Sequence, residues 1–354
     1  MTSPSDVRRI PAERLRTFTC QALQASGFSN DEARIGADVI VEADVRGVDT
    51  HGVTRLAGYV NMTRLGYIKP RARWQVVNDG PTTALIDGDG GLGQYLGHLA
   101  MERAIAKARG LGLGAVAVRN GTHNGMNAYY PLMAVRAGLI GFAFTQGPAI
   151  VPPFGGKTPA VATNPLSIGA PAERHEHVLV DMATTVVAGG KIRLAAKKGQ
   201  PIPPTWALDG EGRPTTDPEA ALKGFFQWAG GYKGYALAVM VEVLSSVLAG
   251  GLFARQVPPM RVFGQQPLIE SFLVMALDIS RFMPLDEFRR RVDALVDDLT
   301  SCERAAGVER ILVPGQPERE MRAERLANGV PVSAAVCAEL EQLARDLKLP
   351  SPLG

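Results

Sequence analysis

The chain has 354 residues, of which 46% are hydrophobic and 21% charged, and its formal net charge at pH 7 is +3. Apolar and charged positions are mixed through nearly every segment, so the composition indicates a folded globular protein and excludes a disordered one. A charge this small, without a stripe of Lys and Arg between aromatic residues, excludes a nucleic-acid surface.

The cysteines and the N-terminal segment bear on the compartment. Cys20, Cys302 and Cys337 are far apart and odd in number, which suits a reducing compartment and gives no metal-binding spacing. The segment MTSPSDVRRIPAERL contains no apolar signal region, and Gly and Pro interrupt the apolar stretches before they reach the length of a membrane span. We therefore expect a cytoplasmic protein that contacts no membrane and binds no metal.

Helical patterns come first along the chain. Leu15 and Phe18 share one helix face, and a second helix is predicted to open at Asn30 and to end near Gly47. These patterns predict an N-terminal helical domain over residues 1–80.

Short β-rich runs follow in the middle of the chain, among them TTALID, LGAVAV, LIGFAF and HVLVD, separated by Gly/Pro turns and helical stretches. They predict an α/β or α+β body over residues 81–282. Helical spacing returns over residues 285–299 and 332–347, and we expect residues 283–354 to join the N-terminal helices.

A glycine-rich turn lies inside this body. Gly88 to Gly93 form a literal G-x-G-x-x-G between a predicted strand and helix, which is typical of a Rossmann dinucleotide site. However, the next strand ends in Arg119 and Asn120 rather than in the acidic residue that reads a ribose hydroxyl. A Rossmann site and a turn without any ligand both remain open.

The segment VDTHGVTRL places unusual chemistry after the second helix. Asp49 or Thr50 can cap a helix with His51 in its first turn and Arg55 one turn later on the same face. Free N–H groups, an imidazole and a guanidinium would then point towards one spot, where a small carboxylate fits. Arg55 could bind it through two hydrogen bonds, while His51 exchanges a proton with an adjacent oxygen. The alternative is a surface ion pair of Arg55 with Asp44 or Asp49.

Two other chemistries are disfavoured. His175, His177 and Asp181 form an H-x-H-x-x-x-D string that could bind a metal, yet ERHEH is more typical of a polar hairpin tip. The chain has no G-x-S-x-G motif for a serine hydrolase.

Six segments resemble one family in order and approximate spacing: RGVDTHGVTRLAGY, VRNGTHNGMNAYY, PPFGGKTPAVATNPLSIGAP, VDMATTVVAGGKI, PTTDPEAAL and GGYKGYALAVMVEVL. This is the malate/L-lactate dehydrogenase family, which also includes ureidoglycolate, sulfolactate and diketogulonate oxidoreductases and piperideine-2-carboxylate reductases. The resemblance spans nearly the whole chain. It implies a homodimer with a helical domain and a non-Rossmann NAD(P)-binding domain on a mostly antiparallel sheet. The implied enzyme uses NAD or NADP to interconvert a small 2-oxo acid and its 2-hydroxy acid.

The resemblance also assigns roles to residues. It implies that His51 is the proton donor or acceptor, that Thr50 assists it, and that Arg55 binds the substrate carboxylate. His123 is a cofactor contact and a second candidate for proton transfer, while Thr163 and Gly189 match substrate positions. The implied cofactor-binding residues are His123, Asn124, Gly125, Met126, Asn127, Asp181, Met182, Ala183, Lys233, Gly234, Gly315 and Arg319.

Departures from the family pattern bear on the substrate. Piperideine-2-carboxylate reductases carry an aspartate where this chain has Lys191 and an arginine where it has Gly189. Because lysine cannot accept a proton from an imidazolium, Lys191 favours an oxo acid over a cyclic imino acid. The segment from Gly251 to Ser271 also departs from the common pattern. A cyclic imino acid reductase stays open as one alternative, and a catalytically silent dinucleotide-binding protein as another.

Overall fold

The computed structural model describes residues 7–187, 189–197, 199–260 and 262–353. Its α-helices are α1 (Ala12–Ala25), α2 (Asn30–Val45), α3 (Leu56–Arg64), α4 (Gly93–Leu111), α5 (Tyr129–Arg136), α6 (Gly189–Lys197), α7 (Pro218–Lys223), α8 (Tyr232–Glu242), α9 (Leu285–Ser301), α10 (Gln316–Asn328) and α11 (Ala334–Leu347). Helix α2 begins where its sequence predicts, because Ser29 and Glu32 form a reciprocal capping box.

The strands form one large sheet and two small ones. They are β1 (Val7–Ile10), β2 (Gln75–Asp79), β3 (Thr83–Asp87), β4 (Leu113–Gly121), β5 (Ile140–Thr145), β6 (Leu166–Pro171), β7 (His177–Met182), β8 (Ala207–Leu208), β9 (Phe225–Phe226), β10 (Glu270–Leu277) and β11 (Val330–Ser333). The large sheet has seven strands in the order β2-β3-β4-β10-β5-β6-β7.

The large sheet confirms the predicted mixed α/β architecture with a mostly antiparallel sheet. Only β3 and β4 run parallel, whereas β10 lies antiparallel between β4 and β5. A Rossmann domain needs a mostly parallel sheet with helical crossovers, so the Gly88–Gly93 turn does not belong to one. The interpretation of this turn as a Rossmann site is therefore wrong.

Helices α4 and α5 cover one face of this sheet. Leu96 and Met101 of α4 and Tyr130 of α5 pack against Val116 of β4 and Phe272 of β10, and all five are fully buried. Helix α2 packs on α4. This packing brings the chain that follows α2 next to the chain that follows β4.

The two ends of the described chain pack together. Strand β1 pairs antiparallel with β11, with Ile10 opposite Val330, and α11 contacts α1 and α3. Leu15, Phe18 and Leu340 share one buried core. The domain boundaries at residues 80 and 282 stay a prediction.

Several strands end or begin at one edge of the large sheet, which we call the site edge. Strand β4 ends at Gly121, opposite Glu270 at the start of β10. Strand β5 ends at Thr145, and β6 begins at Leu166 opposite Met182 at the end of β7. The loops that follow or precede these residues therefore lie side by side.

Candidate active site

The segment between α2 and α3 does not form the single capped helix that the sequence predicts. It forms two 3₁₀ turns, Asp49–His51 and Val53–Arg55, and α3 begins only at Leu56. The interruption is Gly52, whose backbone is extended. A Cβ on Gly52 would lie 1.8 Å from Oδ1 of the buried Asp44. The helix is therefore broken where the backbone passes over Asp44.

The side chain of Asp44 in α2 holds this segment in place. Its Oδ2 accepts a hydrogen bond from the backbone N–H of Val53 at 2.8 Å. Burial nevertheless raises the pKa of Asp44 to about 8. At neutral pH Asp44 is therefore mainly uncharged, which avoids an unpaired charge under the site.

Asp49 is held by the C-terminal part of the chain. Arg325 of α10 donates to both carboxylate oxygens of Asp49 and to the carbonyl oxygen of Asp44. Arg55 donates from Nε to the carbonyl oxygen of Thr50 at 2.7 Å. The acidic residues near Arg55 thus serve to shape the segment, and the guanidinium of Arg55 lies against its first turn.

Two imidazoles meet beside this segment. The rings of His51 and His123 are stacked, with centroids 5.4 Å apart and planes at 21°. Nδ1 of His51 lies 3.0 Å from Oγ1 of Thr50. Nδ1 of His123 accepts from the N–H of Gly125 at 3.2 Å and lies 2.7 Å from the hydroxyl of Tyr59. Because Nδ1 accepts, a neutral His123 carries its proton on Nε2.

Both imidazoles are biased towards the neutral form. Burial and the charge of Arg55 lower the pKa of His51 to about 4. Burial, then His51 and Arg55, lower the pKa of His123 well below its ordinary value. We call His51, His123, Arg55 and the side chains around them the histidine cluster. Arg55 is the cation that an organic anion would meet there, beside two rings able to exchange protons.

An open cleft of about 490 Å³ lies next to the cluster. Thr50, Arg55, Asn61 and Phe263 contribute to its wall. The Cζ atom of Arg55 is 4.3 Å from the centroid of the Phe263 ring. A small molecule can therefore approach Arg55 from solvent.

The loop with His123 is anchored by its own asparagines. Asn124 donates from Nδ2 to Oγ1 of Thr145 at 2.9 Å, and that hydroxyl donates to Oδ1 of Asn127 at 2.9 Å. Asn127 also donates to the carbonyl oxygen of Ala143. These side chains thus hold the loop to β5, and Gly125 has a φ of +80° that favours glycine.

The Gly88–Gly93 turn supports the same loop from the other side. The N–H of Gly88 donates to the carbonyl of Arg119, and the N–H of Gly90 donates to that of Asn120. The N–H of Gly93 donates to Oγ1 of Thr122 at 3.0 Å. The turn therefore has a structural role, which agrees with the non-Rossmann cofactor domain that the resemblance implies.

Three residues of the cluster are absent from the sequence prediction: Tyr59, Phe263 and Glu270. Glu270 is only 3% exposed, and its Oε2 accepts from the N–H of Asn124 at 3.3 Å. Burial raises the pKa of Glu270 to about 8, although this N–H and Arg55 act to lower it. The sequence held a signal for Glu270, which is a glutamate inside the apolar run LIESFLVMAL. It also held one for Tyr59, which lies one helical turn after Arg55. Phe263 had no local signal.

A second group of predicted residues meets further along the site edge. Thr163 accepts through its carbonyl from the N–H and the hydroxyl of Thr184. A Cβ on Gly234 would lie 2.5 Å from the carbonyl oxygen of Thr184, so the first turn of α8, with the exposed Lys233, touches the chain after β7. Asp181 and Met182 end β7 with exposed side chains, and Ala183 follows.

Pro165 connects the two groups. Its carbonyl oxygen accepts from the N–H of Thr145 at 3.2 Å and from Nδ2 of Asn127 at 3.4 Å. A continuous series of contacts therefore runs from the histidine cluster to Lys233.

The other predicted positions lie at the beginnings of α6 and α10. Gly189 begins α6, and the side chain of Lys191 in its first turn is exposed. Gly315 precedes α10 with a φ of +84° and packs on Leu179 of β7. Arg319 donates to the carbonyls of His175 and His177 at the start of β7, the end remote from Asp181. The structure thus places Gly315 and Arg319 along the outer edge of β7 and not with His51.

Within the ranges that the structure describes, no group of three or more His, Cys, Asp and Glu side chains is placed to hold a metal ion. No helix in those ranges has the length and apolarity needed to cross a bilayer.

The chain is similar to dehydrogenases over almost its full length. It is 37% identical over 345 residues to malate dehydrogenase from Pyrococcus horikoshii, covering 95% of each chain. It is 33% identical over 331 residues to NAD(+) ureidoglycolate dehydrogenase from Escherichia coli (strain K12), covering 92% of each. The solved sulfolactate dehydrogenase from Methanocaldococcus jannaschii superimposes with a TM-score of 0.91 at 36% identity, covering 97% of this chain and 98% of that one.

These likenesses, with a further relative that is named as an NADP(+) sulfolactate dehydrogenase, confirm two predictions: an oxidoreductase acting on hydroxy acids and a cofactor that is NAD or NADP. The family model described as malate/L-lactate dehydrogenase matches residues 10–341. The chain therefore belongs to the malate/L-lactate dehydrogenase family.

Proposed function

We propose that the protein interconverts a small 2-oxo acid and its 2-hydroxy acid, with Arg55 binding the substrate carboxylate and His51 moving the proton. The observation that carries this proposal is the meeting of one guanidinium and two stacked imidazoles beside an open cleft. A guanidinium binds a carboxylate through paired charge-assisted hydrogen bonds. An imidazole next to it is placed to exchange a proton with the oxygen on the neighbouring carbon.

Burial and, after it, the charge of Arg55 keep the pKa of His51 low. In the free site the pKa of about 4 keeps His51 neutral at pH 7, so it accepts the hydroxyl proton of a 2-hydroxy acid. When a carboxylate binds Arg55, it offsets the guanidinium charge, and the pKa of His51 rises. The protonated ring then becomes available to protonate the alkoxide formed from a 2-oxo acid. Thr50 orients the ring through Nδ1.

His123 complements this role. The hydroxyl of Tyr59 and the N–H of Gly125 both face Nδ1, so Nε2–H is the donor that the ring presents. A fixed donor of this kind stabilises negative charge on the substrate oxygen. We therefore assign hydrogen bonding to His123 and proton transfer to His51.

The bound cofactor supplies hydride transfer at its nicotinamide ring. Residues further along the site edge fit a dinucleotide, since Asp181 offers a carboxylate for ribose hydroxyls and Lys233 a cation for a phosphate. The close approach of Gly234 to Thr184 brings the two segments together. Thr163 and Gly189 are our candidates for further substrate contacts.

We also infer a cytoplasmic homodimer. Helix α8 and the turn after it expose a row of apolar side chains, with Leu237, Met240 and Leu248 each about half exposed or more. An apolar face of this extent favours association with a second copy. Light scattering should give twice the chain mass for the wild type and a smaller mass for Leu237→Glu, whereas a monomeric wild type would contradict the inference.

The function is tested by following NAD(P)H oxidation with pyruvate, oxaloacetate and cyclic imino acids in parallel. His51→Ala is expected to lower kcat by about 10²- to 10⁴-fold with cofactor binding preserved. The matched control is His98→Ala, because His98 lies on α4 beside Tyr129 and outside the cluster. Activity only on the cyclic imines would overturn the oxo-acid proposal, and unchanged turnover in His51→Ala would overturn the role of His51. No turnover of any of these acids by the wild type would indicate a silent binding protein.

Arg55 is tested in the same assay. Arg55→Met should raise KM for the oxo acid by about tenfold or more, because a charge-assisted pair is lost. Arg64→Met is the control, since Arg64 is exposed at the end of α3. Equal KM values for Arg55→Met and the wild type would contradict the assignment.

A further inference from the structure

The ring of Phe263 lies at the centre of the cluster. It faces the guanidinium of Arg55 at 4.3 Å from Cζ, and it meets Tyr59 and His123 edge-on, with centroids 5.2 and 5.5 Å apart. Phe263 therefore touches the carboxylate-binding residue and one of the two imidazoles at once. It belongs to the irregular segment that precedes β10, which the sequence marks as a departure from the family pattern.

This ring is held in place by a tight backbone contact. Gly264 has a φ of +89°, and a Cβ on it would lie 2.7 Å from Cα of Gly58 in α3. A Cβ on Gly58 would lie 2.6 Å from Cδ1 of Phe263. Asn61 adds a hydrogen bond from Nδ2 to the carbonyl of Gly264 at 2.9 Å. The position of the ring is thus set by two facing glycines and an amide on the same helix that follows Arg55.

The position of the ring constrains the substrate. Suppose that the carboxylate of a 2-oxo acid binds Arg55 and that its carbonyl oxygen binds an imidazole. The remaining substituent on C2 must then share the space between these residues with Phe263. An aromatic ring fixed by backbone contacts cannot retreat without separating α3 from the segment. A long or branched substituent would therefore collide with the ring.

We propose that Phe263 is a specificity-determining residue that confines the substrate to 2-oxo and 2-hydroxy acids with a short side chain. This inference rests on the proposed function, because it takes the acid to bind at Arg55. It concerns binding, so it is tested without turnover.

The test compares two unreactive ligands, oxamate and N-propyloxamate, which differ in the length of the substituent. Their dissociation constants are measured by calorimetry in the presence of NADH and, separately, NADPH. The wild type should prefer oxamate. Phe263→Ala should shift the ratio of the two constants towards N-propyloxamate by about tenfold or more, Phe263→Leu by less, and Phe263→Trp in the opposite direction.

One further variant separates a local effect from general disruption. Phe253→Ala removes a partly exposed ring from the same segment and should leave the ratio unchanged. Thermal unfolding of each variant verifies that it is folded.

The outcomes are distinct. An unchanged ratio in folded Phe263→Ala, or an equal shift in Phe253→Ala, overturns the role of Phe263. A graded shift in the ratio, together with no turnover of any oxo acid by the wild type, keeps the role of Phe263 in selecting bound acids by the length of their side chain. It overturns the proposed function. Failure of the wild type to bind either ligand counts against both.

Discussion

Replacing Glu270 by Gln removes an ionisable group from the inner wall of the site while keeping its shape. Glu270 is buried beneath the His123 loop, and its carboxyl accepts a hydrogen bond from the N–H of Asn124. The amide oxygen of glutamine can accept the same bond. The variant therefore tests the protonation of this group and leaves the packing unchanged.

The size of the stability difference follows from the pKa of Glu270 in the folded and unfolded chains. Folding raises it from the ordinary 4.5 to about 8, mainly by burial. Between these values the unfolded chain has lost the proton and the folded chain keeps it, so stability falls as pH rises, by about 1.4 kcal/mol for each pH unit. Between about pH 5 and pH 8 the free energy of unfolding of the wild type should fall by about 3 kcal/mol more than that of Glu270→Gln. Asp44 has a similarly raised pKa, but it is present in both proteins and its effect cancels.

The assay is urea unfolding of both proteins at about pH 5, 6.5 and 8. Both are held at one chain concentration, because dimer formation would shift the midpoint. The free energies of unfolding should be close at pH 5 and diverge towards pH 8, with the variant more stable. Parallel pH dependences for the two proteins would refute the reasoning, since they would place an ionised carboxylate at Glu270 in the folded state.

Three further predictions concern the segment around His51. Gly52→Ala should lower kcat by about tenfold or more without loss of helical circular dichroism, since its methyl group collides with Asp44 and displaces the adjacent His51. Arg325→Lys should lower the free energy of unfolding in urea by about 1–3 kcal/mol, because lysine cannot reach both oxygens of Asp49 and the carbonyl of Asp44. For hydroxy-acid oxidation, the acidic limb of the pH profile of kcat should lie at higher pH than the acidic limb of kcat/KM. The reason is that a bound carboxylate raises the pKa of His51 from about 4. Coincident limbs would contradict this expectation.

The sequence was most informative where the chemistry lies in one continuous stretch. The spacing of His51 and Arg55 brings both to one site, although the predicted helix is replaced by 3₁₀ turns at Gly52. The break could not be foreseen, because it depends on how closely Asp44 of α2 lies beneath the backbone. Similarly, the G-x-G-x-x-G pattern describes a turn correctly but not what the turn contacts, which is the end of β4.

Residues distant in sequence were the ones missed. Glu270 meets Asn124 across 146 positions, and Tyr59 meets His123 across 64. Phe263 reaches Arg55 through a contact between two glycines that no local pattern encodes. The pairing of Glu270 with Asn124 follows from the strand order of the sheet, in which β10 lies between β4 and β5. The contacts of Tyr59 and Phe263 depend instead on how α3 packs.

By itself, then, the sequence determined the chemical groups available to the protein, because capping, helical spacing and turn residues act between near neighbours. Only the tertiary structure decided which of those groups meet and in what charge state. Stacking of His51 on His123 and the depressed pKa of both rings require burial among elements from separate parts of the chain. Burial is a property of the packed whole, and a local pattern carries no measure of it.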